Sequence, residues 1–274
     1  MNDRSCILVD GHVHIHPQFD DERVLDAAAS NLEAAARRLP NRSQCVGVLL
    51  LAEMQGRDWF GRTRQRALDG EVRVGSWSVS LAGDAETLMA QNGRRPLLIM
   101  SGRQIVTAER IEVLALLTCR RFDDGLPFAE TLEAIHSAGA LVVLPWGAGK
   151  WFGRRGRLVR RALTGHTPSR PILAGDNGGR PWCWPRPRIF TMAESAGTVV
   201  LPGTDPLPLR DQANRIGSFG LVCEGSLPPQ SPAAALRDRL IETSSHTASG
   251  TFGRPERVFR FLRNQIRLRL EHAS

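Results

Sequence analysis

Apolar positions fall into short unbroken runs separated by longer stretches with helical spacing. Cys6 to Val9 and Cys45 to Leu51 are continuous runs, the pattern of strands buried on both faces. Between them, Asp20 to Leu39 is Ala-rich and carries Val24, Leu25, Ala28, Leu32 and Ala35 at helical intervals, which predicts a helix ending before Pro40. Val72 to Leu81 places Val72, Val74, Ser76 and Ser78 on one face and predicts a strand or hairpin arm. Pro96 to Thr107 and Ile111 to Leu117 read as two further strands. Phe128 to Ala138 predicts a helix, Ala140 to Leu144 a strand, and Phe152 to Leu163 a basic helix. Short strands follow at Pro171 to Ala174, Thr198 to Leu201 and Phe219 to Val222, with helices at Pro232 to Glu242 and Arg257 to Leu270.

Repeated strand–helix alternation predicts a mostly parallel sheet with helices outside it. Residues 1–274 contain no long linker, internal repeat or low-complexity block, so the expectation is one domain. The last helix, 254–271, would pack on its exterior. An open doubly wound sheet is the main alternative, but its Gly-x-Gly-x-x-Gly turn does not follow the first strand. No stretch approaches the roughly 18 apolar residues that cross a bilayer, and the first residues lack the apolar segment of a signal peptide. These features point to a soluble, cytoplasmic protein.

Cys6, Cys45, Cys119, Cys183 and Cys223 are odd in number, scattered and without a Cys-x-x-Cys pair. That argues against a disulfide framework and a thiolate zinc site, and Cys6 and Cys45 read as small core residues. The net charge is +8 and the pI near 10.6. Of 36 basic residues all but Lys150 are arginine, spread along the whole chain. No nucleic-acid module is present and tyrosine is absent, so a specific nucleic-acid partner is not expected, whereas a small anionic substrate fits the charge.

The sharpest feature is Val9-Asp10-Gly11-His12-Val13-His14-Ile15-His16, which holds three of the chain's 7 histidines at alternate positions. In an extended segment, residues two apart project to the same face, so His12 and His14 can point at one ion. Neutral imidazole is a good ligand for zinc and similar divalent metals. Asp10 could coordinate or orient an imidazole from behind. His16 is less determined, because Pro17 bends the chain after it. The cluster follows a buried strand and so stands at that strand's carboxyl end.

Asp10-Gly11-His12-Val13-His14 resembles the opening His-x-His motif of the polymerase and histidinol phosphatase (PHP) family; the wider amidohydrolase superfamily opens similarly. Ser101 to Ile105 with Ile111 to Leu116, and Ala138 to Pro145, are similar to the family's middle strands. Gly203-Thr204-Asp205, followed by Ile216-Gly217, is similar to its late Gly-Ser-Asp motif. The resemblance implies a distorted, TIM-like (β/α)7–8 barrel with a metal cluster at its carboxyl end. It also implies hydrolysis, usually of a phosphate ester, by metal-activated water. The family's usual ligands are partly replaced: Gln104 stands for a glutamate, Trp146 and Leu207 for histidines, and Glu53 for the histidine after the second strand. The surviving set is His12, His14 and Asp205, with Glu53 as a further ligand or general base, for one zinc, manganese or iron ion.

Trp146 to Arg155 follows a buried strand, is rich in glycine and opens a helix, so Lys150, Arg154 and Arg155 could bind an anion. Lys150 and Arg154, with Gln104, are the expected substrate-binding positions. Asp176-Asn177 could supply a polar group nearby, and Pro181 to Pro185 reads as an aromatic loop packed on the core. The expected function is a metal-dependent hydrolase of a phosphate ester or other anionic substrate. The alternative is a catalytically degenerate relative that binds or scaffolds. Oligomeric state has no signature in the sequence.

Overall fold

The computed structural model describes residues 5–39, 44–147, 149–181, 183–242 and 248–256, with 259, 263, 264, 266 and 267 beyond them. Strands β1 (Cys6–Val13), β2 (Cys45–Leu51), β3 (Val72–Val74), β4 (Trp77–Leu81), β5 (Thr87–Gln91) and β6 (Leu97–Met100) build the first half of the chain. With them stand helices α1 (Asp21–Ala36) and α2 (Trp59–Asp69). The second half holds β7 (Gly102–Val106), β8 (Glu112–Leu116), β9 (Leu141–Pro145), β10 (Ile172–Asn177), β11 (Val200–Gly203), β12 (Phe219–Glu224) and β13 (Ala248–Gly253). Its helices are α3 (Phe128–Ser137), α4 (Gly153–Gly165), α5 (Arg188–Ser195) and α6 (Pro232–Glu242), with a 3-10 turn at Arg210–Arg215.

The strands form two open sheets, of order β13-β12-β1-β2-β6-β5-β4-β3 and β11-β10-β9-β8-β7. This corrects the expectation of a closed (β/α) barrel. Strands β1, β2 and β6 are parallel, as are β9, β10 and β11, but β3 to β6 form an antiparallel meander and β7, β8 and β9 alternate in direction. Strand β12 also runs antiparallel to β1. Short hairpin links return the chain without an outer helix, so the barrel's repeating unit is interrupted in both sheets. Segments at the ends of the strands link the two sheets, among them the isolated bridge Glu53 to Arg103 and the Asp205 N–H donated to the His12 carbonyl.

Side-chain alternation explains why β1 and β2 read as unbroken apolar runs. Cys6 and Leu8 of β1, with Leu49 and Leu51 of β2, join the core beneath α1. Ile7, Val9, Val48 and Leu50 join a second core with Leu114, Leu116, Val143, Leu173 and Leu201, between the two sheets. Each strand is therefore covered on both faces. Helix α1 starts at Asp20, whose carboxylate accepts the Arg23 N–H at 2.8 Å, and it buries Val24, Leu25, Ala28, Leu32 and Ala35. A third core under α3, α4 and α5 backs the other side of β8 to β10.

Cys6 and Cys45 are buried, as expected, yet they also form a disulfide, against the expectation of none. They stand directly opposite each other on the parallel β1–β2 pair, with a Cα separation of 4.4 Å. Sequence spacing carries no sign of such a register. The expected helix Arg257 to Leu270 falls largely outside the described residues; Arg263 and Arg267 both pair with Asp211. Among the described residues no helix is long and apolar enough to cross a membrane.

Candidate metal centre

The site begins where β1 loses register with β2. The pairing shifts between Asp10 and Val13, an irregularity of the kind that re-aims side chains at a strand end. Here Asp10, fully buried, ties three distant segments together. Its Oδ1 accepts the Thr204 N–H at 2.8 Å, and its Oδ2 accepts the Thr204 hydroxyl at 2.6 Å and the Gly217 N–H at 2.9 Å. Gly217 has φ +76°, and a Cβ there would lie 2.9 Å from the Ala28 carbonyl oxygen, so only glycine offers its amide to Asp10 in this way. Burial pushes the Asp10 carboxyl up to about 6, against the pull of these donors.

Thr204 leads into Asp205, whose N–H donates to the His12 carbonyl at 2.8 Å. Gly203 makes this contact possible: a Cβ on it would sit 2.3 Å from the His12 nitrogen. Asp205 has φ +44°, a left-handed backbone that non-glycine residues adopt rarely and that concentrates at functional sites. The result is a convergence of three ligand atoms. His12 Nε2 and His14 Nε2 are 3.0 Å apart, and Asp205 Oδ1 lies 3.7 Å from the first and 3.4 Å from the second. Ligands held 2.0–2.1 Å from a tetrahedral zinc ion stand about 3.4 Å from one another, a value that these separations bracket. Among the described residues His12, His14 and Asp205 form the one group of this kind, and such a group can hold a metal ion.

The electrostatics agree with the donor set. Burial lowers His12 to about 4, so its imidazole is neutral at physiological pH with a lone pair to donate. Burial alone would raise Asp205, but His12, His14 and Lys150 hold its carboxyl well below the usual carboxylate range. Asn177 donates from Nδ2 to Asp205 Oδ2 at 2.9 Å and to the Trp146 carbonyl at 2.6 Å, which leaves Oδ1 turned to the imidazoles. Gln104 stands beside the His12 side chain and opposes the lowering of its pKa. Its backbone reaches the site through the inter-sheet bridge, where Glu53 N donates to the Gly102 carbonyl at 3.1 Å and Gln104 N to the Glu53 carbonyl at 3.0 Å.

Other expected residues lie apart from this cluster. The Glu53 carboxylate is buried and accepts the Trp59 and Phe60 N–H groups at the start of α2, with Arg103 Nη1 at 3.4 Å. It thus caps a helix, and it is not among the three grouped ligands. Burial raises its pKa, with Arg103 opposing. Lys150 reaches the edge of the site, where Nζ pairs with Glu112 Oε1 at 2.6 Å. Arg154 is exposed at the start of α4. His16 is buried, hydrogen-bonds the Pro206 carbonyl at 2.9 Å and, like His12, is lowered by burial to about 4; it steadies the turn after Asp205. Asp176 is bound by Arg180 through both oxygens, at 3.1 and 2.9 Å, while its neighbour Asn177 supports the site. In the aromatic loop Trp182 lies outside the described residues, and Trp184 meets Trp146 edge to face at 6.3 Å.

The sequence did not mark Thr204, Asn177 or Gly217 as supports of Asp205 and Asp10. The only trace was their place in or beside the late motif and the Asp-Asn pair. No family model matches the chain, and no curated protein matches it. Among solved structures, the crystal structure of PsfC from Pseudomonas syringae PB-5123 is similar at 14% identity and a TM-score of 0.53, over 92% of both chains. The lesion-specific endonuclease PfuEndoQ from Pyrococcus furiosus is similar at 8% identity and a TM-score of 0.46, over 90% of this chain and 59% of that chain. The second likeness is too distant to carry an argument; the first shows that this chain and PsfC share an overall fold.

Proposed function

We propose that the chain is a metal-dependent hydrolase that holds one divalent ion at His12, His14 and Asp205. The observation that carries this reading is the convergence of two imidazoles and one carboxylate, the last on a residue in left-handed backbone. The ion, when bound, supplies Lewis acidity and acidifies a water molecule toward neutrality. The chain's own residues do the rest. Gln104 stands beside the His12 ring, Asn177 fixes the Asp205 carboxylate, and Asp10 clamps Thr204 so that Asp205 keeps its place. Lys150, beside Asp205 and paired with Glu112, orients an anionic substrate such as a phosphate ester. The reading agrees with the resemblance of Asp10 to His14 and Gly203 to Asp205 to PHP motifs, and zinc, manganese and iron all suit the donors.

Elemental analysis of purified protein tests it. Wild type should carry one ion per chain, and His12→Ala and Asp205→Ala should lose it. A screen of phosphomonoesters, phosphodiesters and amides with added zinc, manganese or iron(II) should then show turnover that both substitutions abolish. Metal content untouched by either substitution rejects the ligands. Metal held without turnover supports the second reading, a metal-bearing binding protein, which Gln104, Trp146 and Leu207 at ligand positions of the PHP pattern favour.

A further inference from the structure

A cavity of about 230 Å³ opens beside the metal centre, with Asp205, Asn177, Lys150 and Trp146 in its wall. The polar groups around it are matched to one another. Lys150 pairs with Glu112, Arg215 pairs with Glu256 at 2.9 Å, and Asn177 is engaged by Asp205 and the Trp146 carbonyl. The exception is Asn264, which also lines the cavity. It is 1% exposed, and among the described residues neither its Nδ2 nor its Oδ1 has a hydrogen-bond partner. A buried carboxamide with both ends unsatisfied is rare in native proteins and calls for a ligand or a specific role.

We propose that this cavity is the substrate-recognition subsite of the metal centre, and that Asn264 reads a planar edge carrying a hydrogen-bond acceptor next to a donor. The inference rests on the metal-centre reading above and adds the substrate class. A side-chain amide offers two N–H donors and one carbonyl acceptor side by side, and the complementary edge is that of a carboxamide or a lactam. A simple anion would satisfy Nδ2 and face Oδ1 with a lone pair; a cation would do the reverse. The balanced charges of the cavity also select against a ligand group with a net charge at that end. Trp146, braced edge to face by Trp184, gives a planar group an aromatic surface in the same cavity. Lys150 and the ion would take the anionic end of the same molecule, so the substrate is a small phosphate ester bearing an amide-like edge.

The test is binding to zinc-loaded full chain by calorimetry, with two matched pairs of probes. Uridine 5′-monophosphate against ribose 5-phosphate asks for a lactam; nicotinamide mononucleotide against nicotinic acid mononucleotide asks for a carboxamide. At least one edge-bearing probe should bind about 10- to 100-fold more tightly than its partner, the discrimination a bidentate amide contact provides. Asn264→Leu should erase that preference while leaving the melting temperature unchanged or raised, since it removes an unsatisfied buried amide. A wild type that binds none of the probes, or treats both pairs alike, overturns the inference. So does a preference that survives Asn264→Leu, or an Asn264→Leu melting temperature that falls, which would give the residue a structural role. His12→Ala should weaken all phosphate probes together and leave the edge preference intact. If instead it changes nothing, the metal-centre reading fails while the role of Asn264 stands.

Discussion

Removing the carboxylate of Asp10 probes the joint on which the metal centre depends. In Asp10→Ala the Thr204 N–H, the Thr204 hydroxyl and the Gly217 N–H, bound at 2.8, 2.6 and 2.9 Å, lose their acceptor in a fully buried place. Each orphaned donor costs about 1–3 kcal/mol. Burial raises the Asp10 pKa from 3.8 to about 6, so relief from burying the ionised form offsets about 3 kcal/mol of this at neutral pH. The net loss is then about 3 kcal/mol, or about 6–12 °C in Tm for a chain of this size. Asp10→Asn keeps the volume but turns an amide N–H toward these donors, so it too should destabilise. Both variants release Thr204, and with it Asp205, so zinc affinity should fall by about 10- to 100-fold, as it does when groups behind metal ligands are lost. Thermal unfolding and chelator competition for zinc measure the two effects. If both variants melt within about 2 °C of wild type and bind zinc as tightly, Asp10 is not the clamp described here.

Gly203→Ala puts a Cβ 2.3 Å from the His12 nitrogen, so the β1–β11 contact must open; metal content should drop sharply, and unchanged zinc stoichiometry would refute that close approach. Glu53→Gln should lower Tm, because the carboxylate caps α2 and faces Arg103, yet leave the zinc stoichiometry intact; loss of zinc would return Glu53 to the ligand set. Asn177→Ala should keep the fold by circular dichroism and weaken zinc about tenfold by freeing Asp205 Oδ2. Leu50→Ala empties a fully buried position between the sheets and should cost about 2–5 kcal/mol in denaturant unfolding, with metal affinity unchanged at temperatures where the variant is folded.

Local pattern alone determined much of this protein. The runs Cys6 to Val9 and Cys45 to Leu51 are strands, Asp20 to Leu39 contains α1, and Phe128 to Ala138 and Pro232 to Glu242 coincide with α3 and α6. These follow from side-chain periodicity, which the backbone imposes wherever one or both faces are buried. His12 and His14 were legible for the same reason, since alternate residues of a strand share a face. Helices α2 and α5 and strands β5 and β13 escaped notice, their apolar positions being few or interrupted. What tertiary structure decided was every relation between distant segments: two open sheets in place of a barrel, Cys6 opposite Cys45, Glu53 drawn to the start of α2, and Asn264 brought to the wall that holds Asp205. Such relations depend on strand direction and register, which are settled by packing over the whole chain and leave no periodic trace in any one stretch of it.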